Sequence, residues 1–330
     1  MSLPVIDVGT LREGTGAARV AAEIDRACRT TGFFYVAGHD VPDALPRRVD
    51  ALAREFFARP DHEKARIAMS RGGRAWRGWF PLGGELTSGV PDAKEGLYFG
   101  EELGLDDPRV RASWPLHGAN LFPEEPRELR DAVLQLIEAL TAVGHTLLRG
   151  VSRALELDDD WFDRNLTAAP TVLFRIFRYP PLPALADASS ARWSVGEHTD
   201  YGLLTILAQD TAGGLEVRGP EGWIAAPPIP GTFVVNLGDM LERMTGGRYR
   251  STPHRVRNTG PADRLSLPLF LDPAWDAEVG PVPNPLGRDR GRDTDRWDGA
   301  SVHEWSGTYG DYLFGKVSKV FPALVDDVIG

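Results

Sequence analysis

The spacing of apolar residues divides the chain into a mainly helical first half and a β-rich second half. Residues 3–8 and 33–39 are predicted to be short strands, and residues 17–31 and 46–57 have helical spacing. The longest periodic run, residues 130–157, repeats apolar residues about every 3.6 positions, at Val133, Ile137, Leu140, Leu147, Val151 and Leu155. We therefore predict a long central helix preceded by smaller elements.

After residue 168 the pattern changes to short apolar runs separated by turn signals such as GPEG and TGG. The runs are TVLFRIFRYP, YGLLTILAQD, GGLEVRG, GWIAAPP, GTFVVNLGD, HRVRNTG and RLSLPLFLDP. So many short strands at close spacing favour an antiparallel jelly roll. We predict an α+β, mainly β fold: a double-stranded β-helix (jelly-roll) core with flanking N-terminal, central and C-terminal helices.

Three segments lack this clear strand pattern. Residues 73–100 are rich in Gly, Pro and aromatic residues and predict a structured loop region with little regular periodicity. Residues 276–300 predict a solvated loop, for which a lid is the weaker alternative, and residues 308–324 predict a closing helix.

Composition narrows the class of protein. The 330 residues are 42% hydrophobic and 25% charged, which is ordinary for a globular chain. A formal charge of -10 disfavours nucleic acid and anionic membranes as partners. The single cysteine, Cys28, excludes a disulfide framework and a thiolate metal site. We find no signal-peptide pattern and no apolar stretch approaching membrane-spanning length, so we expect a cytoplasmic protein.

The stretch GEHTDYGLLTIL places two strong metal ligands, His198 and Asp200, two residues apart at the start of an apolar strand. On a strand, residues i and i+2 face the same side, with Cα atoms ~6.6 Å apart. The two side chains can then converge on one ion. An isolated pair of this kind is a weak signal, and its alternative is a surface strand end with a salt bridge.

A third ligand must come from another strand, and STPHRVRN supplies His254. Two imidazoles and one carboxylate form the facial triad of non-haem iron(II) oxygenases. This set leaves three coordination positions open for a bidentate oxo-acid and O₂. It also avoids a thiolate, which such chemistry would oxidise.

Ten residues beyond His254, Arg264 and Ser266 repeat the i, i+2 spacing and are predicted to face the barrel interior together. A buried arginine needs an anion to offset its desolvation. A guanidinium beside a hydroxyl is suited to hold a carboxylate. The alternative is a surface ion pair of Arg264 with Asp263 or Asp272.

Taken together, HTD at 198–200, His254 and RLS at 264–266 resemble the 2-oxoglutarate/iron(II)-dependent oxygenases of the isopenicillin-N-synthase type. The likeness extends over most of the chain. It includes LPVIDV and ACRTTGFFYVAGHDV near the N-terminus, FRYPPLP before the triad, and LEVRGPEGWIAAPPIPGTFVVNLGDMLERMTGGRYRSTPHRV across the core.

The resemblance implies a role for each matching residue. His198, Asp200 and His254 match the iron ligands, and Arg264 and Ser266 match the pair that holds the distal carboxylate of 2-oxoglutarate. Tyr179 matches a tyrosine that helps bind the co-substrate or the substrate near the iron, whereas Phe177 stands where plant members often have asparagine. The aspartate at 200 argues against the halogenating relatives.

The implied cofactors are Fe(II), 2-oxoglutarate as co-substrate and O₂. The implied organisation is a non-haem dioxygenase N-terminal region at 1–110, a helical spine at 111–168, the jelly-roll dioxygenase core at 169–275, and a loop with a C-terminal helix at 276–330.

We therefore predict an oxidoreductase that couples oxidative decarboxylation of 2-oxoglutarate to hydroxylation, desaturation or cyclisation of a small molecule. One alternative is a 2-oxoglutarate-independent oxidase of the penicillin-forming kind, which the absence of glutamine after Gln209 disfavours. Another is a non-catalytic jelly-roll binding protein. Gly310–Val317 nearly matches a phosphate-binding loop but lacks its Ser or Thr. Candidate substrate contacts are Arg77, Trp79, Tyr98 and Tyr201, and the oligomeric state is not predicted.

Overall fold

The structure is a computed structural model, and it describes residues 2–13, 16–87, 89–181, 193–283 and 306–321. Within these ranges the helices are α1 (Gly9–Glu13), α2 (Ala17–Thr30), α3 (Ala44–Phe57), α4 (Asp61–Lys64), α5 (Pro108–Arg111), α6 (Glu128–Ala154), α7 (Trp161–Asn165), α8 (Asp239–Met244) and α9 (Tyr309–Val320). Three short 3₁₀ turns lie at Ala65–Ile67, Met69–Arg71 and Gly73–Ala75.

The strands carry most of the core. They are β1 (Val5–Asp7), β2 (Phe33–Ala37), β3 (Gly78–Phe80), β4 (Leu86–Thr87), β5 (Val90–Pro91), β6 (Glu95–Gly100), β7 (Thr171–Tyr179), β8 (Val195–His198), β9 (Leu204–Gln209), β10 (Leu215–Gly219), β11 (Gly222–Ala225), β12 (Phe233–Leu237), β13 (His254–Val256) and β14 (Arg264–Asp272).

Two sheets form the jelly roll. In the described residues the larger sheet has eight strands in the order β1-β2-β12-β9-β14-β7-β6-β3, and the smaller has the order β11-β10-β13-β8. All neighbours in them pair antiparallel except β1 and β2. The predicted mixed fold with a jelly-roll core is therefore confirmed, whereas the predicted division into four regions stays a prediction.

The helices cover the larger sheet, and α6 packs against α2, α3, β9 and β14. Its buried stripe includes Val133, Ile137, Leu140, Leu147 and Val151, as the 3.6-residue spacing predicts. At Gly144 the helix comes so close to β14 that a Cβ would lie 2.5 Å from Leu271 Cδ2. A small residue at this position is what allows helix and sheet to touch.

By length and hydropathy alone, α6 is the one helix of the described ranges that could cross a membrane, and half of its most apolar window is buried inside the protein. The expectation that no stretch approaches this length was therefore wrong by that measure. A buried core helix meets the same criterion.

The prediction of a structured loop region over residues 73–100 was wrong in part, because strands lie within it. Strands β3 and β6 extend the larger sheet there, and β6 pairs with β7 over its whole length. Every residue of β6 is buried. A strand buried on both faces needs no alternation of polar and apolar residues, so the usual period is missing from its sequence.

Of the predicted C-terminal helix at 308–324, α9 covers Tyr309–Val320 and ends before Phe321. Residues 322–324 lie outside the described ranges. Most of the predicted 276–300 loop also lies outside them.

Candidate active site

Three side chains that could bind a metal converge between the two sheets. His198 ends β8 and His254 begins β13, and the two residues face each other across the antiparallel pair with ring centroids 4.2 Å apart. Asp200 Oδ1 lies 3.9 Å from His198 Nε2 and 3.7 Å from His254 Nε2. The possible ligand atoms of the three lie within 4.8 Å of one another, a spacing that suits one metal ion.

Contrary to our expectation, the position of Asp200 is not set by strand geometry. Strand β8 ends at His198, so the i, i+2 strand geometry does not extend to the aspartate. Instead, Asn236 Nδ2 on β12 donates to Asp200 Oδ2 at 2.7 Å, and the Thr205 hydroxyl on β9 donates to the same oxygen. Both bonds use Oδ2, which leaves Oδ1 facing the two imidazoles.

Main-chain carbonyls orient both imidazoles. His198 Nδ1 lies 2.8 Å from the Gly196 carbonyl, and His254 Nδ1 lies 3.2 Å from that of Thr252. Each Nδ1 must carry the proton to donate to a carbonyl, so each Nε2 presents a lone pair to the shared space. Phe33 packs edge-on against His254 at 5.2 Å between centroids and limits rotation of the ring.

The protonation states of Asp200 and His254 also favour binding of a cation. Burial alone would raise the pKa of Asp200, but both histidines and the Asn236 and Thr205 donors outweigh burial and lower that pKa. Burial, with His198 nearby, lowers the pKa of His254 to about 4. At neutral pH the site therefore holds a carboxylate and a neutral imidazole, the forms that bind metal.

A second polar group lies on the larger sheet, where β14 pairs with β7. Arg264 is opposite Tyr179 in the register, and the hydroxyls of Tyr179 and Ser266 lie 3.1 Å apart. The three side chains are buried and line the same inner cavity as His198, Asp200 and His254. The structure thus brings all six predicted site residues into one cavity.

Arg264 is only 1% exposed and has one donor without a partner. Its Nε donates to the Gly213 carbonyl at 2.5 Å and one NH₂ group approaches Gln209 Oε1 at 3.5 Å, while its other terminal nitrogen finds no acceptor among the described residues. The alternative surface ion pairs are not formed, since Asp263 bonds Arg178 and Asp272 accepts from Tyr309. A buried guanidinium with an unused donor is suited to an anion.

Lys94 places a positive charge beside Phe177. Its ammonium lies 4.4 Å from the centre of the Phe177 ring and is held by Asp92 at 2.9 Å and Glu85 at 3.0 Å. Lys94 and Phe177 line both the inner cavity and a larger outer cleft. Sequence analysis did not identify this lysine.

The outer cleft opens from the metal-ligand side and has a volume of about 510 Å³, which is ordinary for a small-molecule site. Of the four suggested substrate contacts, Tyr98 and Tyr201 line it. Arg77 and Trp79 do not: Arg77 donates to the Leu116 carbonyl at 2.8 Å and Trp79 to Glu95 at 2.9 Å. Both are buried in packing instead.

Sequence reasoning missed four polar residues of this region, Lys94, Arg175, Thr205 and Asn236. Arg175, Thr205 and Asn236 shared a usable signal, because each is a lone polar residue inside an apolar strand, in LFRIF, LLTIL and VVNLG. A buried polar residue needs a bonding partner, so such positions mark possible site residues. Gly310–Val317, in contrast, lies within α9, so no phosphate-binding loop forms there.

Two protein-family models match the chain. One is described as the 2OG-Fe(II) oxygenase superfamily and matches residues 170–273, and the other as the N-terminal region of a non-haem dioxygenase in morphine synthesis and matches residues 3–125. The first range contains all six clustered residues, and the second contains Lys94.

Curated relatives match over nearly the full chain. A Dictyostelium discoideum protein named "probable iron/ascorbate oxidoreductase" is 43% identical, over 99% of this chain and 97% of its own length. A homoarginine-6-hydroxylase of Arabidopsis thaliana is 35% identical over 97% and 98%, and a 1-aminocyclopropane-1-carboxylate oxidase of Dictyostelium mucoroides is 35% identical over 98% and 96%.

Solved structures agree with these relatives. A full-length Neurospora crassa protein in complex with alpha-KG and thymine has a TM-score of 0.78 and 25% identity, with 96% of each chain covered. JOX2, in complex with 2OG, Fe and JA, has a TM-score of 0.72 and 25% identity over 96% of this chain and 85% of its own.

Proposed function

Because this chain belongs to the 2-oxoglutarate/iron(II)-dependent oxygenases of the isopenicillin-N-synthase-like kind, we propose that it hydroxylates a small organic molecule in the outer cleft. The protein is an Fe(II)- and 2-oxoglutarate-dependent dioxygenase with O₂ as the usual co-substrate. Hydroxylation is the proposed outcome since several relatives are named hydroxylases. Cytoplasmic location and the absence of nucleic-acid and membrane partners stay predictions.

The proposed iron ligands are His198 Nε2, His254 Nε2 and Asp200 Oδ1. The observation that carries this proposal is the orientation of the donor atoms: the other nitrogen of each histidine faces a carbonyl, and the other oxygen of Asp200 accepts from Asn236 and Thr205. Three ligands on one face leave room for further ligands opposite them. When bound, iron supplies the redox centre at which 2-oxoglutarate is decarboxylated to succinate and CO₂ with O₂ as oxidant.

The proposed site for the distal carboxylate of 2-oxoglutarate consists of Arg264, Ser266 and Tyr179. The unpaired terminal nitrogen of Arg264 offers a charge-assisted hydrogen bond, and the two hydroxyls offer neutral ones. A guanidinium already bonded to the Gly213 carbonyl cannot turn away from the cavity without losing that bond. These residues therefore orient the co-substrate and fix which end faces the metal ligands.

Part of the wall of the inner cavity is apolar. Phe33, Leu207, Val256 and Phe270 line it with apolar surface, and Asp200 and His254 are 8% and 7% exposed. Apolar walls and burial limit the water that reaches these groups, which strengthens the charged interactions among them. The outer cleft then admits the substrate beside His198, the most exposed of the three proposed ligands.

The test is reconstitution of the purified chain with Fe(II) under anaerobic conditions, followed by 2-oxoglutarate and O₂, with succinate as the readout. We expect slow succinate formation even without the substrate, its loss in His254→Ala, and an increased KM for 2-oxoglutarate in Arg264→Met. Iron-loaded wild-type protein that forms no succinate, alone or with a substrate panel, would contradict the proposal.

A further inference from the structure

A second buried arginine faces the outer cleft. Arg175 is 6% exposed and lies on β7, where it is paired with Tyr98 of β6. Its terminal nitrogen donates to the carbonyls of Phe99 at 3.2 Å and Phe174 at 3.3 Å, and its Cζ lies 3.5 Å from the centre of the Tyr98 ring. Within the described part of the chain, no carboxylate oxygen lies within ion-pair distance of Arg175.

Arg175 and Arg264 lie at opposite ends of one inward-facing surface. Arg264 is opposite Tyr179 in the register of β14 and β7, and Arg175 precedes Tyr179 by four residues on β7. An even separation on a strand keeps both residues on one face, ~13 Å apart along it. Phe177 lies between them and lines both the inner cavity and the outer cleft.

The other buried charges of the cleft have partners. Lys94 is held by Asp92 and Glu85, and Asp272 accepts a hydrogen bond from the Tyr309 hydroxyl. Lys316 lies 4.0 Å from Asp239 and is 30% exposed. Arg175 is thus the buried cation of the described cleft wall with no carboxylate within ion-pair distance. Burial lowers the pKa of its guanidinium, and Tyr98, Glu85 and Asp272 offset only part of that effect. Such a buried charge remains unfavourable unless an anion binds it directly.

Aromatic rings pack against the Arg175 guanidinium. The guanidinium lies above the Tyr98 ring at stacking distance, and Phe270 lies on its other side at 5.9 Å. One terminal nitrogen is already bonded to the Phe99 and Phe174 carbonyls, so the proposed contact with the two oxygens of a carboxylate uses Nε and the other terminal nitrogen. The geometry therefore favours recognition of a planar anion over that of a single point charge.

We propose that the substrate of this enzyme is a small carboxylic acid whose carboxylate binds Arg175, so that the carbon to be oxidised lies on the His198 and Asp200 side of the cleft. This inference rests on the proposed function and deepens it. Each arginine then binds a different acid: Arg264 binds 2-oxoglutarate in the inner cavity, and Arg175 binds the substrate in the outer cleft.

The experiment compares acids with their neutral carboxamides on the anaerobic protein loaded with Fe(II) and 2-oxoglutarate. The probes are L-homoarginine, 1-aminocyclopropane-1-carboxylate and a library of several hundred small carboxylic acids, with the matched amide for each acid that binds. Calorimetric titration measures binding, and succinate formation after addition of O₂ measures stimulation. We expect at least one acid to bind and stimulate, and its amide to bind at least tenfold more weakly.

Two variants assign that preference to Arg175. Arg175→Gln should remove the difference between acid and amide, and Arg175→Lys should restore part of it, while the KM for 2-oxoglutarate stays within twofold of wild type in both. Arg248→Gln is the control, because Arg248 is partly buried, pairs with Asp25 and does not line the cleft, and it should keep the full acid preference. A preference that survives in Arg175→Gln overturns the inference.

The melting temperature of the Arg175 variants distinguishes a role of Arg175 in substrate binding from a role in packing. If Arg175 serves the substrate, Arg175→Gln should melt at the same temperature as wild type or higher, because the change removes a buried charge without an acidic partner. A large fall in melting temperature with unchanged acid preference would assign Arg175 to packing and overturn the inference. Equal binding of acids and amides by the wild-type protein, or no binding of any acid, would also overturn the inference. None of these outcomes affects substrate-independent succinate formation, which tests the proposed function.

Discussion

Asn236 donates its side-chain amide to Asp200 across 2.7 Å, and this bond connects β12 of the larger sheet to the end of β8 in the smaller one. Because Asp200 lies beyond its strand, its direction depends on this bond and on the one from Thr205. The position of the proposed metal ligand is therefore set by the opposing sheet.

Asn236→Leu should weaken binding of Fe(II) about 10- to 100-fold, since loss of a bond that orients a metal ligand typically has this effect. Thr205→Val removes the other donor to the same oxygen and should act in the same direction. Titration of the metal-free protein with Fe(II) under anaerobic conditions measures both. Asn120→Leu is the control, because Asn120 is equally buried but bonds Gly100 and Glu102 instead. An affinity unchanged in both site variants would rule out this role.

Tyr179→Phe should raise the KM for 2-oxoglutarate about fivefold, because one neutral hydrogen bond contributes about 1 kcal/mol. Ser266→Ala should have a similar effect, and the double variant should fall short of the product of the two, since the hydroxyls lie 3.1 Å apart and share one network. Succinate formation against 2-oxoglutarate concentration gives the values. Two single variants with wild-type KM would remove both hydroxyls from the proposed co-substrate site.

Strand periodicity was enough to predict the Arg264 and Ser266 placement, because both lie inside β14 and strand residues two apart face one side. It was not enough for Asp200, which lies past the end of β8 and is oriented by bonds to β9 and β12. Contacts between distant segments leave no period in the sequence. Strand geometry and ligand chemistry suggested that His198, Asp200 and His254 meet, and the resemblance to a known family supported that prediction.

In the fold, too, elements with a regular pattern in the sequence were predictable and those without one were not. The α6 stripe was predictable because one face is buried and the other is exposed, which produces the 3.6-residue spacing. Strand β6 was not, because all its residues are buried and its EGLYFG sequence has no alternation. Lys94 was missed for a related reason: its role depends on Asp92, Glu85 and Phe177, which meet only in the folded chain.

Asp272 should make the stability of the metal-free protein depend on pH. Burial raises the pKa of its carboxyl to about 7, and the Tyr309 bond only partly offsets burial. An unfolded aspartate has a pKa of about 3.9, so the folded state binds the proton more tightly. The resulting stabilisation is full below pH ~4 and is lost as the pH rises through about 7.

Asp272→Asn mimics the protonated form and should flatten this fall, which amounts to at most about 4 kcal/mol for a shift of this size. Urea unfolding of wild type and variant at pH 5, 6, 7 and 8, with a chelator present, measures the difference. We expect the variant to gain stability relative to wild type as pH rises. Parallel pH profiles would show that Asp272 does not titrate in this range.

A pair of glycine substitutions tests the contact between α6 and β14. At Gly144 an added methyl group would lie 2.5 Å from Leu271 Cδ2 and 3.4 Å from Ile206 Cδ1, so Gly144→Ala must displace packed side chains. Overpacking of this kind typically costs about 1–3 kcal/mol. The higher helix propensity of alanine recovers only part of that cost, so the variant should unfold more easily than wild type.

Gly315 provides the opposite case in α9, where it is exposed and an added methyl group would meet nothing within 4 Å. Gly315→Ala should stabilise the protein by up to about 1 kcal/mol, because alanine loses less backbone entropy than glycine on entering a helix. The free energy of unfolding from urea titration compares the two variants directly. Stabilisation of the protein by Gly144→Ala would contradict the close contact of α6 with β14. The position of β14, and therefore of Arg264, could then not be attributed to support from this helix.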